Sequence, residues 1–507
     1  MARTIFALLA QADDLAPALL APGRPALSYD GLRQQIATTV SQLNGFGIGR
    51  TATVAIVLPN GPEMASAFVC IAAGATTAPL NPGYSRDEFE FYLTDLEAGL
   101  LVVQEGVETP ALAAAQKLGI DVAVLSFSKS DPAGVFTLAG KPSATPVAAE
   151  QGGFAQRGDI ALVLHTSGTT SRPKIVPLSQ ENICSSAAHI AASIELTPED
   201  RCLNIMPLFH IHGLIAAVLT SFRAGASIVC TPGFNALKFF AQLKEFAPTW
   251  YTAVPTMHQA ILGRAARNKE IIESAKLRLI RSSSASLPPK IMNELEAVFS
   301  VPVIEAYGMT EAAHQMACNP LPPRERKSGT VGVAAGPEIA IMDAAGALLA
   351  VGEIGEVVIR GPNVTAGYRN NEVANATAYT DGWFRTGDQG KLDAEGYLRL
   401  TGRLKEIINR GGEKISPREV DEVLLDHPAI AQVVTFAVPH DKLGEDVAAA
   451  VVLHDAAQVS EKEIRAFVAE RLVDFKVPRK VLFLDEIPKG ATGKLQRIGL
   501  AEKLGLA

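Results

Sequence analysis

At 507 residues the chain is long enough for roughly two to four domains. Its composition, 48% hydrophobic and 20% charged, is that of an ordinary globular protein and excludes a disordered or fibrous chain. A net charge of −7 makes it a poor non-specific binder of nucleic acid or anionic membrane, so neither partner is expected.

The chain begins Met-Ala-Arg-Thr-Ile-Phe, without a sustained apolar core before Gln11 and Asp13, which does not resemble a signal peptide. The run from Ala65 to Ala75 is well short of the about 18 apolar residues that span a bilayer and reads as a buried helix. Cys70, Cys184, Cys202, Cys230 and Cys318 are scattered, odd in number and never spaced C-x-x-C. A disulfide framework or zinc site is therefore not expected, and a reducing, cytoplasmic compartment fits.

Short apolar runs at Ala52–Leu58, Leu100–Val103, Val122–Leu125, Ile160–Leu164, Ser227–Cys230, Trp250–Val254, Leu277–Ile280 and Val301–Ile304 predict strands that alternate with helices. That alternation predicts an α/β body with mostly parallel sheets. Between its two lobes, Ser128–Gln151 is rich in Pro, Gly, Ser and Ala and reads as a surface connection. From Gly332 the texture changes: Ile339–Asp343, Gly355–Arg360 and Gly396–Thr401 predict short antiparallel strands with no long helix among them.

Beyond Arg403 a further α+β unit is expected. Ser416-Pro417-Arg418-Glu419 reads as a capping box with Pro at the first helical position, and Ser460-Glu461-Lys462-Glu463 opens a second helix. Strands are predicted at Ala431–Val438 and Val447–Leu453. The expected organisation is an α/β multi-domain chain: a body over residues 1–402, of two parallel-sheet lobes and a small β-rich subdomain, then a cap over residues 403–507.

In open parallel sheets ligands bind outside the carboxyl ends of the strands. Ile160–Leu164 runs into His165-Thr166-Ser167-Gly168-Thr169-Thr170-Ser171-Arg172-Pro173-Lys174, a donor-rich segment suited to phosphate oxygens. It is not a Walker A loop, because Gly-Lys-[Ser/Thr] is missing at the required spacing; a polar surface loop is the alternative. Leu277–Ile280 leads into Arg281-Ser282-Ser283-Ser284-Ala285-Ser286, whose small residues admit a flat ring, or simply make a strand-to-helix turn. Val301–Ile304 leads into Glu305-Ala306-Tyr307-Gly308-Met309-Thr310-Glu311, offering a stacking face, a hydroxyl and a hard oxygen ligand; Glu311 could equally be a solvated acid at a helix start. In Trp383-Phe384-Arg385-Thr386-Gly387-Asp388 the last residue could accept both hydroxyls of a ribose, or be a turn aspartate after Gly.

These segments, with Gly402-Arg403 and the run from Pro488-Lys489 to Gly493-Lys494, stand in an order that resembles the adenylate-forming superfamily of acyl-CoA synthetases, adenylation domains and beetle luciferases. The resemblance spans about residues 25–500 and implies two half-reactions. A carboxylate attacks the α-phosphate of Mg·ATP, and a thiol, usually that of coenzyme A, then displaces AMP from the acyl-adenylate. It further implies that Thr166, Ser167, Gly168, Thr169, Thr170 and Lys174 hold the β- and γ-phosphates. Ser283, Ser284, Ala285 and Tyr307, with Glu305 and Ala306 in the same segments, would border adenine, and Thr310 would touch the α-phosphate. Glu311 would bind Mg2+ with the Thr170 hydroxyl nearby, and Asp388 and Arg403 would grip the ribose. Lys494 would enter the site on a mobile cap that turns about Lys405 and then presents Gly411-Gly412-Glu413 to the pantetheine arm. One departure is Ile175 after Lys174, where many relatives carry Gly; a β-branched residue there stiffens the loop's exit.

Pro207-Leu208-Phe209-His210-Ile211-His212-Gly213 resembles the family's gate motif, with His210 at the gate; a metal pair with His212 is the other reading. His314, three residues past Glu311 on an expected helix start, should face the same cleft. Long stretches, including Pro207–Leu214, Thr249–Thr256 and Glu305–Met316, resemble the oxalate–CoA ligase branch. His210, Ser283 and His314 could serve a second carboxylate, so a small dicarboxylate such as oxalate is expected. The alternatives are a fatty or coumarate-like aryl acid, and a carrier-loading adenylation enzyme. A non-enzymatic binder would be expected to lose Lys494 or Glu311, and both are present.

Overall fold

Thr53–Val57, Leu100–Gln104 and Ile160–Thr166 are apolar on successive residues rather than alternate ones, the pattern of strands covered on both faces. In the computed structural model, which describes residues 2–143, 147, 151–166, 173–488 and 497–506, they lie at the centre of a seven-stranded sheet. Its five central strands, from Asp121–Ser126 across to Ile160–Thr166, run parallel, and Thr137–Ala139 and Lys174–Ser179 close the edges antiparallel. A nine-stranded sheet carries the second lobe. There Ser227–Cys230, Arg201–Asn204, Trp250–Ala253, Leu279–Ser282 and Val303–Met309 run parallel, and His314–Cys318 turns back beside the last.

The helices Pro62–Ala72 and Gln180–Ser193 and the π-helix His212–Leu219 share one apolar core with strands of both sheets. Every residue of Pro62–Ala72 is buried; its polar pair is satisfied, Glu63 by Arg24 at 2.9 Å and Ser66 by the Gly134 carbonyl at 2.6 Å, and the rest is apolar on all sides. Truncating a side chain such as Phe68, 0% exposed there, would cost about 3–5 kcal/mol in transfer and cavity terms.

The third sheet is antiparallel, built from Glu338–Met342, Gly355–Arg360, Tyr379–Thr380, Trp383–Leu392 and Leu398–Arg403. The fourth begins at Ile408–Arg410 and includes Ile430–His440 and Gly444–Leu453, with the helices Pro417–Leu425 and Glu461–Ala469 packed into its core. Ser460 and Glu463 make both bonds of a capping box. Ser416 makes only one, accepting from the Glu419 amide, because the Glu419 carboxylate turns to Lys476 Nζ at 2.7 and 2.8 Å.

Four expectations change. The Ser128–Gln151 segment is more than a connection: Phe136 and Leu138 are buried, and Thr137–Ala139 pairs with Asp121–Ser126. Ile175 is no loop-exit residue; it sits in the strand Lys174–Ser179, paired with His165 and buried beneath the first lobe. Asp388 stands in the ten-residue strand Trp383–Leu392 rather than in a turn. His314 begins a strand, not a helical turn: Met309 pairs with His314 across a hairpin whose connection is Thr310–Ala313. Ala313 and His314 hold positive φ of 48° and 102° to make that turn.

Candidate active site

A cleft of about 760 Å³ opens where the carboxyl ends of the strands of both lobes meet the third sheet and the C-terminal unit. Thr166, His210, Ser284, Ala285, Glu305, Ala306, Tyr307, Asp388 and Arg403 line it, so residues separated by more than two hundred positions in sequence share one wall. The C-terminal unit contributes Arg418, Asp421, Glu422 and Arg497 to the same cleft. Arg418 also donates to the Ser286 hydroxyl across the junction.

Tyr307 reaches the cleft because its strand runs on through Gly308 and Met309 before turning. Gly308 is required there, since a Cβ would lie 1.7 Å from the His314 carbonyl oxygen on the returning strand. The Tyr307 hydroxyl donates to Asp388 Oδ2 at 2.5 Å, and Arg403 Nε stands 3.1 Å from Asp388 Oδ1. Strand pairing sets that geometry, Asp388 lying opposite Arg403. Burial pushes the Asp388 carboxyl up, against the pull of Arg403 and the Tyr307 hydroxyl.

Thr166 and Lys174 form the last pair of the hairpin whose connection carries the phosphate motif. Ser167, Gly168, Thr169 and Thr170 of that motif, and Lys494, lie outside the described residues. Lys174 Nζ is 4.3 Å from the centroid of the Tyr368 ring, and the Tyr368 hydroxyl donates to Glu311 Oε1 at 3.0 Å. Glu311 is buried, and burial raises its carboxyl pKa, with Arg403 and Lys174 opposing the shift from a distance. Among the described residues no Lys or Arg makes an ion pair with it. A desolvated carboxylate beside the phosphate hairpin fits a hard divalent cation, which binds through one or two carboxylates plus substrate phosphates. Thr310 is half-buried at the start of the same turn.

Glu305 is buried in the cleft wall, accepting from the Leu287 amide at 3.0 Å. Burial raises its pKa to about 7, with Arg418 opposing. Ser283 is buried and its hydroxyl donates to the Ala306 carbonyl at 2.8 Å, whereas its neighbour Ser284 faces the cleft. His210 lines the cleft beside Phe209. His212 and His314 lie beneath, both 2% exposed, with ring centroids 5.0 Å apart. His212 is committed to Thr252 Oγ1 at 2.6 Å and Ser284 Oγ at 2.9 Å.

Lys405 is exposed between the third and fourth sheets, and Gly411, Gly412 and Glu413 form the exposed tip of the hairpin joining Ile408–Arg410 to Glu413–Ile415. They do not line the cleft in this arrangement of the chain. Sequence reading missed Tyr368, which follows Glu311 by 57 positions, too far along the chain for spacing to pair them. It also missed Arg497, which bonds Glu406, Asp421 and the Thr435 carbonyl at the rim. Its position three residues after Lys494 was the available signal.

Two family models match: AMP-binding enzyme over residues 10–369, and the AMP-binding enzyme C-terminal domain over residues 419–494. The oxalate–CoA ligase of Arabidopsis thaliana is 46% identical over 485 residues, covering 95% of this chain and 94% of that protein. The oxalate–CoA ligase of Saccharomyces cerevisiae is 43% identical, covering 89% of this chain and 87% of its own length. Among solved structures, ATP-bound MatB from Rhodopseudomonas palustris superposes with a TM-score of 0.88 at 30% identity, covering 99% of both chains. With the cleft, its Tyr307–Asp388–Arg403 group and these matches together, the chain belongs to the AMP-binding enzyme family of adenylate-forming acyl-CoA synthetases, on the branch that holds the oxalate–CoA ligases.

Proposed function

We propose that the protein is an oxalate–CoA ligase, forming oxalyl-adenylate and diphosphate from oxalate and ATP, then oxalyl-CoA and AMP. The observation that carries this reading is the single cleft that gathers Tyr307, Asp388 and Arg403 on one side and His210 and Ser284 on another. The first set suits a nucleoside and the second an acid with more than one oxygen to satisfy. Relatives named oxalate–CoA ligases match along nearly the whole chain.

A carboxylate is ionised at neutral pH, so its attack on the α-phosphorus needs no general base. It needs positioning and neutralisation of the charge that builds on phosphate. Tyr307 stacks on adenine beside Ser284 and Ala285, Asp388 accepts from the ribose hydroxyls, and Arg403 holds Asp388 in place. Thr166 to Thr170 and Lys174 bind the β- and γ-phosphates, and Thr310 meets the α-phosphate. Glu311 and the Thr170 hydroxyl are the residues that would hold Mg2+, whose charge offsets that of the phosphate oxygens. Lys494 bridges the acid and the α-phosphate. In sequence it precedes Arg497, a residue that lines the cleft, by three positions.

For the second step, we assign residues 1–402 to the body and 403–507 to a cap that turns about Lys405. Turning withdraws Lys494 and brings Gly411, Gly412 and Glu413 to the pantetheine arm, whose thiolate attacks the acyl carbon as AMP leaves. The five buried free cysteines suit a reducing, cytoplasmic setting.

Pyrophosphate release measured with oxalate, malonate, coumarate and octanoate, each with and without coenzyme A, tests the reading. Oxalate is expected to give the highest kcat/KM and a thioester only with coenzyme A. Preference for octanoate or coumarate would reassign the acid, and silence with every acid would end the enzyme reading.

A further inference from the structure

Arg281, in the strand Leu279–Ser282, is 0% exposed and has no carboxylate in contact among the described residues. An uncompensated buried cation is costly, and such groups concentrate at functional sites. Burial lowers its pKa to about 10, which leaves it charged at neutral pH. Its guanidinium donates to Gln315 Oε1 at 3.1 Å and to Thr252 Oγ1 at 3.4 Å, the strand register setting Thr252 beside it.

The donor inventory then fixes a direction. A guanidinium has donors only, so the Thr252 oxygen must accept from Arg281. The single Thr252 proton is left for His212 Nε2, 2.6 Å away. A neutral imidazole that accepts at Nε2 carries its proton at Nδ1. His212 Nδ1–H therefore donates to Ser284 Oγ at 2.9 Å. With the polarity reversed, the Thr252 oxygen would accept from both His212 and Arg281, and its own proton would have no acceptor among the described residues.

Ser284 is left with one proton and a position in the cleft wall. Its backbone is held at a φ of 74°, a conformation a non-glycine residue keeps only when its surroundings impose it. We propose that Arg281, Thr252 and His212 form a one-way hydrogen-bond relay that turns the Ser284 hydroxyl into an obligatory donor toward a carboxylate oxygen of the acid. The three buried groups are positioning residues, and Ser284 touches the substrate. The inference rests on the ligase reading for the identity of the acid; the polarity of the relay does not depend on it.

The test uses the full-length enzyme. Thr252→Val keeps the shape of the side chain and cuts the relay, whereas Thr252→Ser keeps the hydroxyl. The valine variant is expected to raise the KM for oxalate about tenfold, the worth of one hydrogen bond to a charged group, with the KM for ATP within about twofold of wild type. The serine variant is expected to restore the oxalate KM to within about twofold. Imidazole 15N NMR of the wild type, with His212 assigned by its loss in His212→Gln, is expected to show a neutral ring protonated at Nδ1. A ring protonated at Nε2, an unchanged oxalate KM in Thr252→Val, or a serine variant that restores nothing would overturn the proposal. If no acid supports turnover, the ligase reading fails, and the His212 tautomer still decides the relay.

Discussion

In an Asp388→Asn variant the side chain keeps its shape but loses the charge now served by the Tyr307 hydroxyl at 2.5 Å and the Arg403 guanidinium at 3.1 Å. An amide can still accept one hydrogen bond, but its NH2 cannot accept from a ribose hydroxyl or from Arg403. A hydrogen bond to a charged group contributes about 1.5–3 kcal/mol, so losing one ribose contact lowers kcat/KM for ATP about 10- to 150-fold. Stability moves differently. Burial raises the Asp388 pKa above its unfolded value, so the native state favours the protonated form. Stability is therefore gained as pH falls through the folded pKa and lost as pH rises through it. The pull of Arg403 in the opposite direction is discounted because its side chain is 53% exposed and screened by water. The variant should thus lose ATP affinity without a lower Tm. Pyrophosphate release against ATP concentration, with thermal unfolding of the same preparation, checks both halves. A Tm several degrees lower with unchanged kcat/KM for ATP would refute the reasoning and make Asp388 a structural residue.

Glu305→Gln keeps an acceptor for the Leu287 amide while removing a carboxyl whose pKa burial raises to about 7. Because that value lies above the unfolded one of about 4.3, the wild type loses stability as pH rises between them. The variant should melt higher than wild type at pH 7.5 and converge with it near pH 5; parallel Tm profiles would contradict this. Gly308→Ala places a Cβ 1.7 Å from the His314 carbonyl and should cost roughly 3 kcal/mol or more, seen as a sharply lower Tm or loss of soluble protein. A Tm within about two degrees of wild type would mean that the two strands part easily there. Lys494→Ala should slow adenylation on the order of 100-fold while sparing thioester formation from supplied acyl-adenylate. Equal loss of both steps would defeat the division of labour between the two faces of the cap.

Strand-end chemistry was legible because it is local. A strand such as Ile160–Thr166 followed by hydroxyls and Lys174, or Val303–Met309 followed by Thr310 and Glu311, announces a polar strand end within a dozen residues, and Thr166 and Tyr307 do line one cleft. Element limits were less legible where a motif is itself part of a strand. Asp388 could be read as a turn aspartate and the stretch after Val301–Ile304 as leaving its strand, yet Tyr307-Gly308-Met309 and Arg385-Thr386-Gly387-Asp388 are both held in sheets by partners that sequence spacing does not reveal. The turn that misplaced His314 needed positive φ at Ala313 and His314, residues that carry no glycine signal for it.

Amino-acid order alone determined the α/β lobes, the antiparallel third sheet and the polar groups that end the strands, because apolar periodicity and strand-end donors are properties of short segments. Only tertiary structure decided which of two adjacent serines faces the cleft, and which aromatic holds Glu311. It also decided what His212 is for. Ser283 is taken by the Ala306 carbonyl 23 positions away, Glu311 by Tyr368 at 57, and His212 by Thr252 at 40 and Ser284 at 72. A donor or acceptor acquires its role from the partner that strand register brings within 3 Å, and register is a property of the assembled sheet.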